Sequence, residues 1–168
     1  QDVFNNKYSH DGTMTWDELA ETLVTEVCYG QFTNEEISQL TQYVKNMQFI
    51  PGGRYLYYTG RDLKAYNNCY LLKAEEYTRE DWAALSWKAE SCLTVGGGIG
   101  VDYSVYRPAG ERLKRTGGTA SGAVSKMRMI DSIGREVMQG GSRRSAIYAS
   151  LNHKHGDIKE FLVSKNWQ

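Results

Sequence analysis

The run GGGIGVD at residues 96–102 follows an amphipathic segment and opens a short apolar one. It belongs to a composition with 17 glycines and only 2 prolines, in which the glycines form tight sets. Glycine permits positive φ angles and a close approach of the backbone to another group. A single set is typical of an ordinary turn. Four sets beside regular segments, at residues 52–53, 96–100, 117–122 and 140–141, favour a surface lined with ligand-binding loops.

The segments around this run alternate between two hydrophobic periods. Short apolar runs at residues 69–72, 99–103 and 145–149 predict strands. Apolar residues at helical spacing predict helices at residues 78–92 and 125–137, and a further helix from Asp157 onward. Strands that alternate with helices are typical of a parallel sheet with crossover helices. The predicted fold class is therefore α/β.

The N-terminal part is predicted to be purely helical. Thr15 with Glu18, and Thr33 with Glu36, form two capping-box patterns, each followed by apolar residues at helical spacing. We therefore expect a helical layer over residues 1–48 and the α/β part over residues 49–168. The chain starts on glutamine and stops within a helical pattern, so we expect it to be a fragment of a longer protein.

The composition argues against several classes of protein. The 20 basic residues balance 20 acidic ones, which argues against a nucleic-acid binder held by bulk charge. No apolar run reaches the roughly 18 residues that a membrane span needs. The cysteines Cys28, Cys69 and Cys92 lie at wide spacings, which suit a reducing compartment. We expect a soluble, cytoplasmic protein that binds neither membranes nor nucleic acid directly.

Two loops carry residue types that bind anions. The run KRTGGTASG at residues 114–122 combines cations, hydroxyls and glycine amides before a helix, which suits a phosphate. The run QGGSRR at residues 139–144 carries two guanidinium groups, which suit a nucleotide. The alternatives are a solvated turn for the first loop and a helix end whose cations complement the dipole for the second. The glycines at residues 96–100 open a strand rather than a helix, so they do not form a dinucleotide-binding motif.

The cysteines and histidines differ in their surroundings. Cys69 follows two asparagines at the mouth of a predicted strand, where a thiol can face a cleft. Cys28 and Cys92 lie on apolar helix faces and are predicted to be core residues. His153 and His155 lack a third ligand, so we predict no metal site.

These motifs, in this order, resemble the catalytic subunit of ribonucleotide reductases. The similar stretches are FIPGGRYL (49–56), NNCYLL (67–72), GGGIGVD (96–102), TGGTASG (116–122), QGGSRRSA (139–146) and HGDIKEF (155–161), the last with glycine where the family has proline. The resemblance covers nearly everything from residue 49 to residue 167. It implies an N-terminal helical layer followed by roughly the first half of a ten-stranded α/β barrel.

The resemblance also implies roles for particular residues. Cys69 would be the first of two redox cysteines, which together reduce the substrate and end as a disulfide. Substrate contacts are implied for Arg54 at the phosphates and for Asn68, Gly97 and Gly98 at the ribose. Effector contacts are implied for Glu76, Lys114, Arg115, Thr116, Ser121, Gln139, Arg143 and Arg144.

Within the family, the two loops are similar to those of the adenosylcobalamin-dependent class, so adenosylcobalamin is the expected cofactor. The lack of a long insertion after Tyr103 implies a homodimer when full length, and the end of the chain is similar to triphosphate reductases. The expected partners are a ribonucleotide substrate, deoxynucleotide effectors and a thiol reductant such as thioredoxin. The radical cysteine and the second redox cysteine belong to the family's C-terminal half, so we expect this fragment alone to be inactive.

Other functions remain open. The chain could be a nucleotide-binding regulatory module that uses only the two loops and performs no catalysis. Cys69 distinguishes the two hypotheses, because a pure sensor has no need for a thiol that faces a cleft. A third possibility is the glycyl-radical class of the same superfamily, whose loops are expected to look less like these.

Overall fold

The computed structural model describes residues 2–9, 12–137 and 145–165. The chain divides into two compact units, Gln1–Asn67 and Asn68–Gln168. The expected domain limits of 1–48 and 49–168 concern where a catalytic barrel begins, and they stay a prediction. No helix in the described ranges is long and apolar enough to cross a membrane.

The first unit consists of helices. They are α1 (Asp2–Lys7), α2 (Trp16–Cys28), α3 (Asn34–Lys45) and α4 (Gly53–Tyr58). Both predicted capping boxes are present at the starts of α2 and α3, where side chains satisfy backbone N–H groups that the helix itself leaves free. The short helix α4 was not predicted, because six residues are too few to show a helical period. Leu19, Leu23, Val44 and Leu56 form part of the core of this unit.

The second unit is built on a parallel sheet. Its strands are β1 (Cys69–Lys73), β2 (Gly98–Asp102) and β3 (Ile147–Ser150), in the order β1-β2-β3. Its helices are α5 (Arg79–Thr94), α6 (Ala123–Glu136) and α7 (Ile158–Val163). The predicted α/β class and the predicted alternation of strands and helices are confirmed.

The two faces of the sheet differ. Leu72, Ile99 and Val101 point to one face and share a buried core with residues of α5 and α6. Alternate residues of a strand point to the opposite face. There Leu71 is 83% exposed and Tyr148 is 67% exposed. Within the described residues, the sheet therefore has one face covered by helices and one open face.

Asp157 ties three segments of the second unit together. Its carboxylate accepts the backbone N–H groups of Ala109 and Ala123, each at 2.8 Å. Ala123 is the first residue of α6, so this carboxylate caps the helix from a distant part of the chain. The Asp157 N–H donates to Nδ1 of His155, whose proton must then lie on Nε2 and donate to the Tyr106 carbonyl at 2.7 Å. Both side chains thus hold the loop before α7 in place.

A second buried polar group lies between α5 and α6. Lys126 is 0% exposed. Its Nζ donates to the Trp82 carbonyl and to Ser86 Oγ at 2.5 Å, and lies 4.8 Å from the centre of the Trp82 ring. Burial lowers the pKa of Lys126 from its ordinary value of 10.5 to about 8, because removal from water disfavours the charged form.

Replacing Asp157 with alanine should destabilise the second unit. Two backbone N–H groups would lose a charged acceptor, at a cost of about 3 kcal/mol in the free energy of unfolding. Urea unfolding measures the change, and Asp62→Ala, which removes an exposed carboxylate, is the control. Equal stability of the two variants would show that Asp157 does not cap α6.

The effect of Lys126→Met on stability should depend on pH. The unfolded lysine keeps its proton up to its ordinary pKa, whereas the folded lysine loses it near pH 8. The unfolded state then binds more protons, so the wild type gains stability as the pH rises between these two values. Across this pH range, the free energy of unfolding of the wild type should rise by about 3 kcal/mol relative to that of Lys126→Met.

Urea unfolding at several pH values measures this gain. Lys88→Met, which removes an exposed lysine of α5, is the matched control and should show no such pH dependence. A stability difference between wild type and Lys126→Met that does not change with pH would contradict the lowered pKa.

Candidate functional site

An exposed thiol lies at the start of the first strand of the sheet. Cys69 is the first residue of β1, is exposed, and pairs in register with Gly98 of β2. The Gly98 N–H donates to the Asn68 carbonyl at 2.8 Å, and neighbouring strands lie about 4.8 Å apart. The structure therefore brings Cys69, Asn68 and Gly98 together at the paired starts of β1 and β2.

The adjacent glycines differ in their packing. A Cβ atom on Gly97 would lie 2.5 Å from Cε2 of Tyr70 and 3.0 Å from the Cys92 carbonyl oxygen. Gly97 therefore allows the chain to pass directly over the Tyr70 ring. A Cβ atom on Gly98 would meet nothing closer than 3.4 Å. A Cβ atom there would touch Ala146 and Asn68 at ordinary van der Waals distances, without a collision.

Arg54 lies in the first unit, on α4. It is 8% exposed, and its Nη1 donates to the Ala65 carbonyl at 3.1 Å. Its guanidinium group lies 5.9 Å from the centre of the Tyr58 ring. These contacts connect α4 to the segment that follows it. A contact between Arg54 and substrate phosphates stays a prediction.

The first predicted loop folds back on itself. The Leu113 N–H donates to the Gly118 carbonyl at 3.0 Å, and the Ala120 N–H to the Glu111 carbonyl at 2.8 Å. The turn requires φ angles of +70° and +78° at Gly117 and Gly118, which glycine adopts at little cost. The residues between these hydrogen bonds, Lys114, Arg115 and Thr116, are exposed at the tip of the loop.

This loop forms one wall of a cavity of about 460 Å³. The predicted effector residues Lys114, Arg115, Thr116 and Ser121 all line it. Glu76 directly precedes the lining residue Tyr77, and its N–H donates to Oδ2 of Asp81 at 2.7 Å. The other predicted effector residues, Gln139, Arg143 and Arg144, lie outside the described residues.

Aromatic side chains that the sequence did not reveal form the other walls. Tyr77 and Trp82 follow β1, and Tyr106 follows β2. The neighbouring cation Arg107 lines the cavity as well. The Arg107 guanidinium lies 4.3 Å from the centre of the Tyr77 ring, and the Trp82 and Tyr106 rings pack edge to face at 4.9 Å. Burial raises the pKa of Tyr106 to about 12, so its hydroxyl stays neutral. These aromatic side chains come together only in the folded unit, so no local sequence pattern predicts the cavity walls that they form.

The charge of the cavity favours an anion. Its charged lining residues are Arg79, Glu80, Arg107, Lys114 and Arg115. Arg79 pairs with Glu80 at 3.0 Å and Arg107 with Glu111 at 2.9 Å. Among the described residues, Lys114 and Arg115 form no ion pair. Lys114 and Arg115 lie beside aromatic rings, and Arg115 also interacts electrostatically with Glu80. Such cations suit a ligand that combines a planar ring with phosphates.

The thiol and the cavity lie at opposite ends of β1. Cys69 begins the strand, whereas the lining residues Tyr77 and Trp82 follow its end. None of Cys69, Asn68, Gly97 and Gly98 lines the cavity. The second unit is thus an α/β structure with an exposed thiol and a separate cavity whose charged lining suits an anion.

Comparison with known proteins identifies the family. The family model described as "Ribonucleotide reductase, barrel domain" matches residues 67–168. The chain therefore belongs to the ribonucleotide reductase barrel family. The resemblance of the sequence motifs to this family is confirmed.

Individual relatives agree with this assignment. A vitamin B12-dependent ribonucleoside-diphosphate reductase from Mycobacterium tuberculosis is 40% identical over 122 residues, which cover 73% of this chain and 18% of the relative. A protein of the same name from Thermoplasma acidophilum is 30% identical over 152 residues, which cover 90% of this chain and 19% of the relative. The chain thus spans less than a fifth of the length of these relatives.

A solved structure supports the fold. The class Id ribonucleotide reductase alpha subunit from Actinobacillus ureae matches with a TM-score of 0.78 and 15% identity, over 95% of this chain and 28% of that one. The three parallel strands therefore fit part of the barrel of that family. The predicted partial barrel is confirmed.

Cys69 should be the most reactive of the three cysteines in the folded chain. Cys69 is exposed, Cys28 is buried, and burial raises the pKa of Cys92. Because the thiolate is the reactive form, iodoacetamide should modify Cys69 about tenfold faster than the other two. Peptide mass spectrometry after a timed reaction measures the rates, and the urea-unfolded chain is the control with near-equal rates. Faster modification of Cys92 would contradict the described arrangement.

Proposed function

We propose that this chain forms part of the catalytic barrel of a ribonucleotide reductase that uses radical chemistry to make 2′-deoxyribonucleotides for DNA synthesis. The observation that most directly supports this proposal is the exposed Cys69 on the open face of the sheet, in register with Gly98. The family supports the reaction class, and the names of its relatives support ribonucleotides as substrates.

In the proposed reaction, two thiols supply two electrons. The C–OH bond at the 2′ carbon of the ribose breaks, a C–H bond forms there, and the hydroxyl leaves as water. The two thiols are oxidised to a disulfide, which an external thiol reductant of the thioredoxin type reduces again. Cys69 is one of these thiols, and Asn68, Gly97 and Gly98 lie beside the ribose. The register of Cys69 with Gly98 and the hydrogen bond from Gly98 to the Asn68 carbonyl support this placement.

The names of the relatives favour adenosylcobalamin as the source of the radical. The cavity beside the first loop does not fit this group. The cavity of about 460 Å³ is smaller than a corrin with its nucleotide tail, and its cations and hydroxyls suit phosphate instead. We therefore assign no residue of this chain to the cofactor. The same names favour diphosphate substrates, whereas the end of the chain is similar to triphosphate reductases. Turnover assays with both forms of the substrate distinguish the two.

We also propose that the cavity binds a deoxynucleotide effector. Lys114, Arg115, Thr116 and Ser121 would hold its phosphates, and Glu76 its sugar. The second loop, residues 139–145, would lie between effector and substrate base. In the proposed full-length homodimer, the helix α6 would connect the two loops. A cytoplasmic, reducing environment would keep the thiols available.

A regulatory module without catalysis remains the second candidate. The cavity alone supports it, since nucleotide binding requires only the loop residues and the aromatic walls. The exposure of Cys69 favours the enzyme.

In the full-length enzyme, Cys69→Ser should abolish multiple turnover and leave nucleotide binding within a few-fold of the wild type. A thiolate can form and break a disulfide, whereas a hydroxyl cannot. Turnover driven by dithiothreitol measures the first effect, and equilibrium dialysis measures the second. Cys28→Ser, at a buried core position of α2, is the control and should retain turnover. Sustained turnover by Cys69→Ser would contradict the assignment of Cys69 as a redox cysteine.

Arg143→Ala should weaken the effector dependence of substrate choice more than it lowers effector-free reduction. Coupling between sites of this kind is typically about 1–3 kcal/mol, roughly 5- to 150-fold in affinity. Competition between substrates, with and without each effector, measures it. Arg135→Ala is the control, since Arg135 is an exposed residue of α6 that pairs with Asp131 at 2.7 Å. Unchanged selectivity in Arg143→Ala would contradict the proposed position of the second loop between effector and substrate base.

A further inference from the structure

Lys126 is a buried cation to which the proposed function assigns no part. Its Nζ contacts the Trp82 carbonyl, the face of the Trp82 ring and the Ser86 hydroxyl, all of which are neutral. Among residues 2–9, 12–137 and 145–165, no ion pair includes Lys126. The ammonium group thus makes two hydrogen bonds to neutral oxygens and one cation–π contact. The charge is therefore solvated by the protein but not neutralised.

The position of Lys126 relates this charge to the cavity. Trp82, which Lys126 contacts, lines the cavity and packs against a second lining residue, Tyr106. Lys126 also lies in the first turn of α6, four residues after the lining residue Gly122. Its ammonium group thus lies one side chain behind the cavity wall. Asp81, the acidic residue next to Trp82 in sequence, accepts the N–H groups of Glu75 and Glu76 rather than pairing with the lysine.

We propose that Lys126 supplies a buried positive charge to the effector cavity and thereby favours polyphosphate ligands over less charged ones. This inference rests on the proposed effector role of the cavity. Lys114 and Arg115 are exposed, so dissolved ions screen their attraction for phosphate, whereas a buried charge is screened much less. Lys126 remains charged at about pH 7, since its pKa is about 8.

The test compares ligands that differ only in phosphate number. Calorimetry of the full-length enzyme at about pH 7 would measure the binding of thymidine, dTMP, dTDP and dTTP to the wild type and to Lys126→Met. Because Coulomb attraction grows with ligand charge, the substitution should weaken dTTP binding about tenfold and thymidine binding less than about twofold. Ser86→Ala removes a neutral contact but keeps the charge, so it should retain the wild-type dependence on phosphate number.

Salt distinguishes the buried cation from an exposed one. Lys114→Met is the matched variant at the cavity surface. In about 1 M salt, where the screening length is about 3 Å, the effect of Lys114→Met should largely disappear, whereas that of Lys126→Met should persist.

The outcomes separate the two proposals. Equal weakening of thymidine and dTTP binding by Lys126→Met, or no change in either, overturns the role of Lys126 and leaves the effector cavity in place. Failure of the wild type to bind dTTP, or binding that Lys114→Met leaves unchanged in low salt, contradicts the effector cavity itself. If Lys126→Met does not fold, Lys126→Gln provides the same comparison, because its amide is uncharged and can still donate to the Trp82 carbonyl.

Discussion

The parallel pairing of β1 with β2 is the constraint on which the rest of the second unit depends. The Gly98 N–H bonds to the Asn68 carbonyl and sets Cys69 opposite Gly98. A shift of one residue in this register would turn the thiol from the open face toward the helices. Gly97 makes the pairing possible, since any side chain there would collide with the Tyr70 ring.

Parallel pairing also determines where the connections run. A parallel strand pair needs a crossover, and here helices α5 and α6 lie on the same face as the buried core. Each crossover carries the chain from the carboxyl end of one strand back to the amino end of the next. The cavity forms at the carboxyl ends of β1 and β2, and the thiol lies at the amino end of β1. Helix α6, with 14 residues and a length of about 21 Å, therefore leads from the cavity toward the segment that precedes β3.

This arrangement gives a physical basis for communication between the two sites. Asp157 and Lys126 both act at the first turn of α6, one by capping Ala123 and the other by binding α5. We expect this attachment to let a change at the cavity act on the far end of the helix. There the Ala146 carbonyl accepts the N–H of Ile99, the residue next to Gly98. The contacts from the first turn of α6 to β2 thus include side-chain hydrogen bonds, among them Ser145 to the Gly134 carbonyl, as well as backbone ones.

The sequence alone was sufficient for the capping boxes, for the alternation of strands and helices, and for the cationic tip of the loop at residues 114–122. These features depend on side chains a few residues apart, whose spacing is visible in the chain. The register of Cys69 with Gly98, the aromatic walls at Tyr77 and Tyr106, and the burial of Lys126 were decided only by the tertiary structure. Each requires segments more than 20 residues apart to pack together, and a local pattern does not specify which distant surface a side chain will meet.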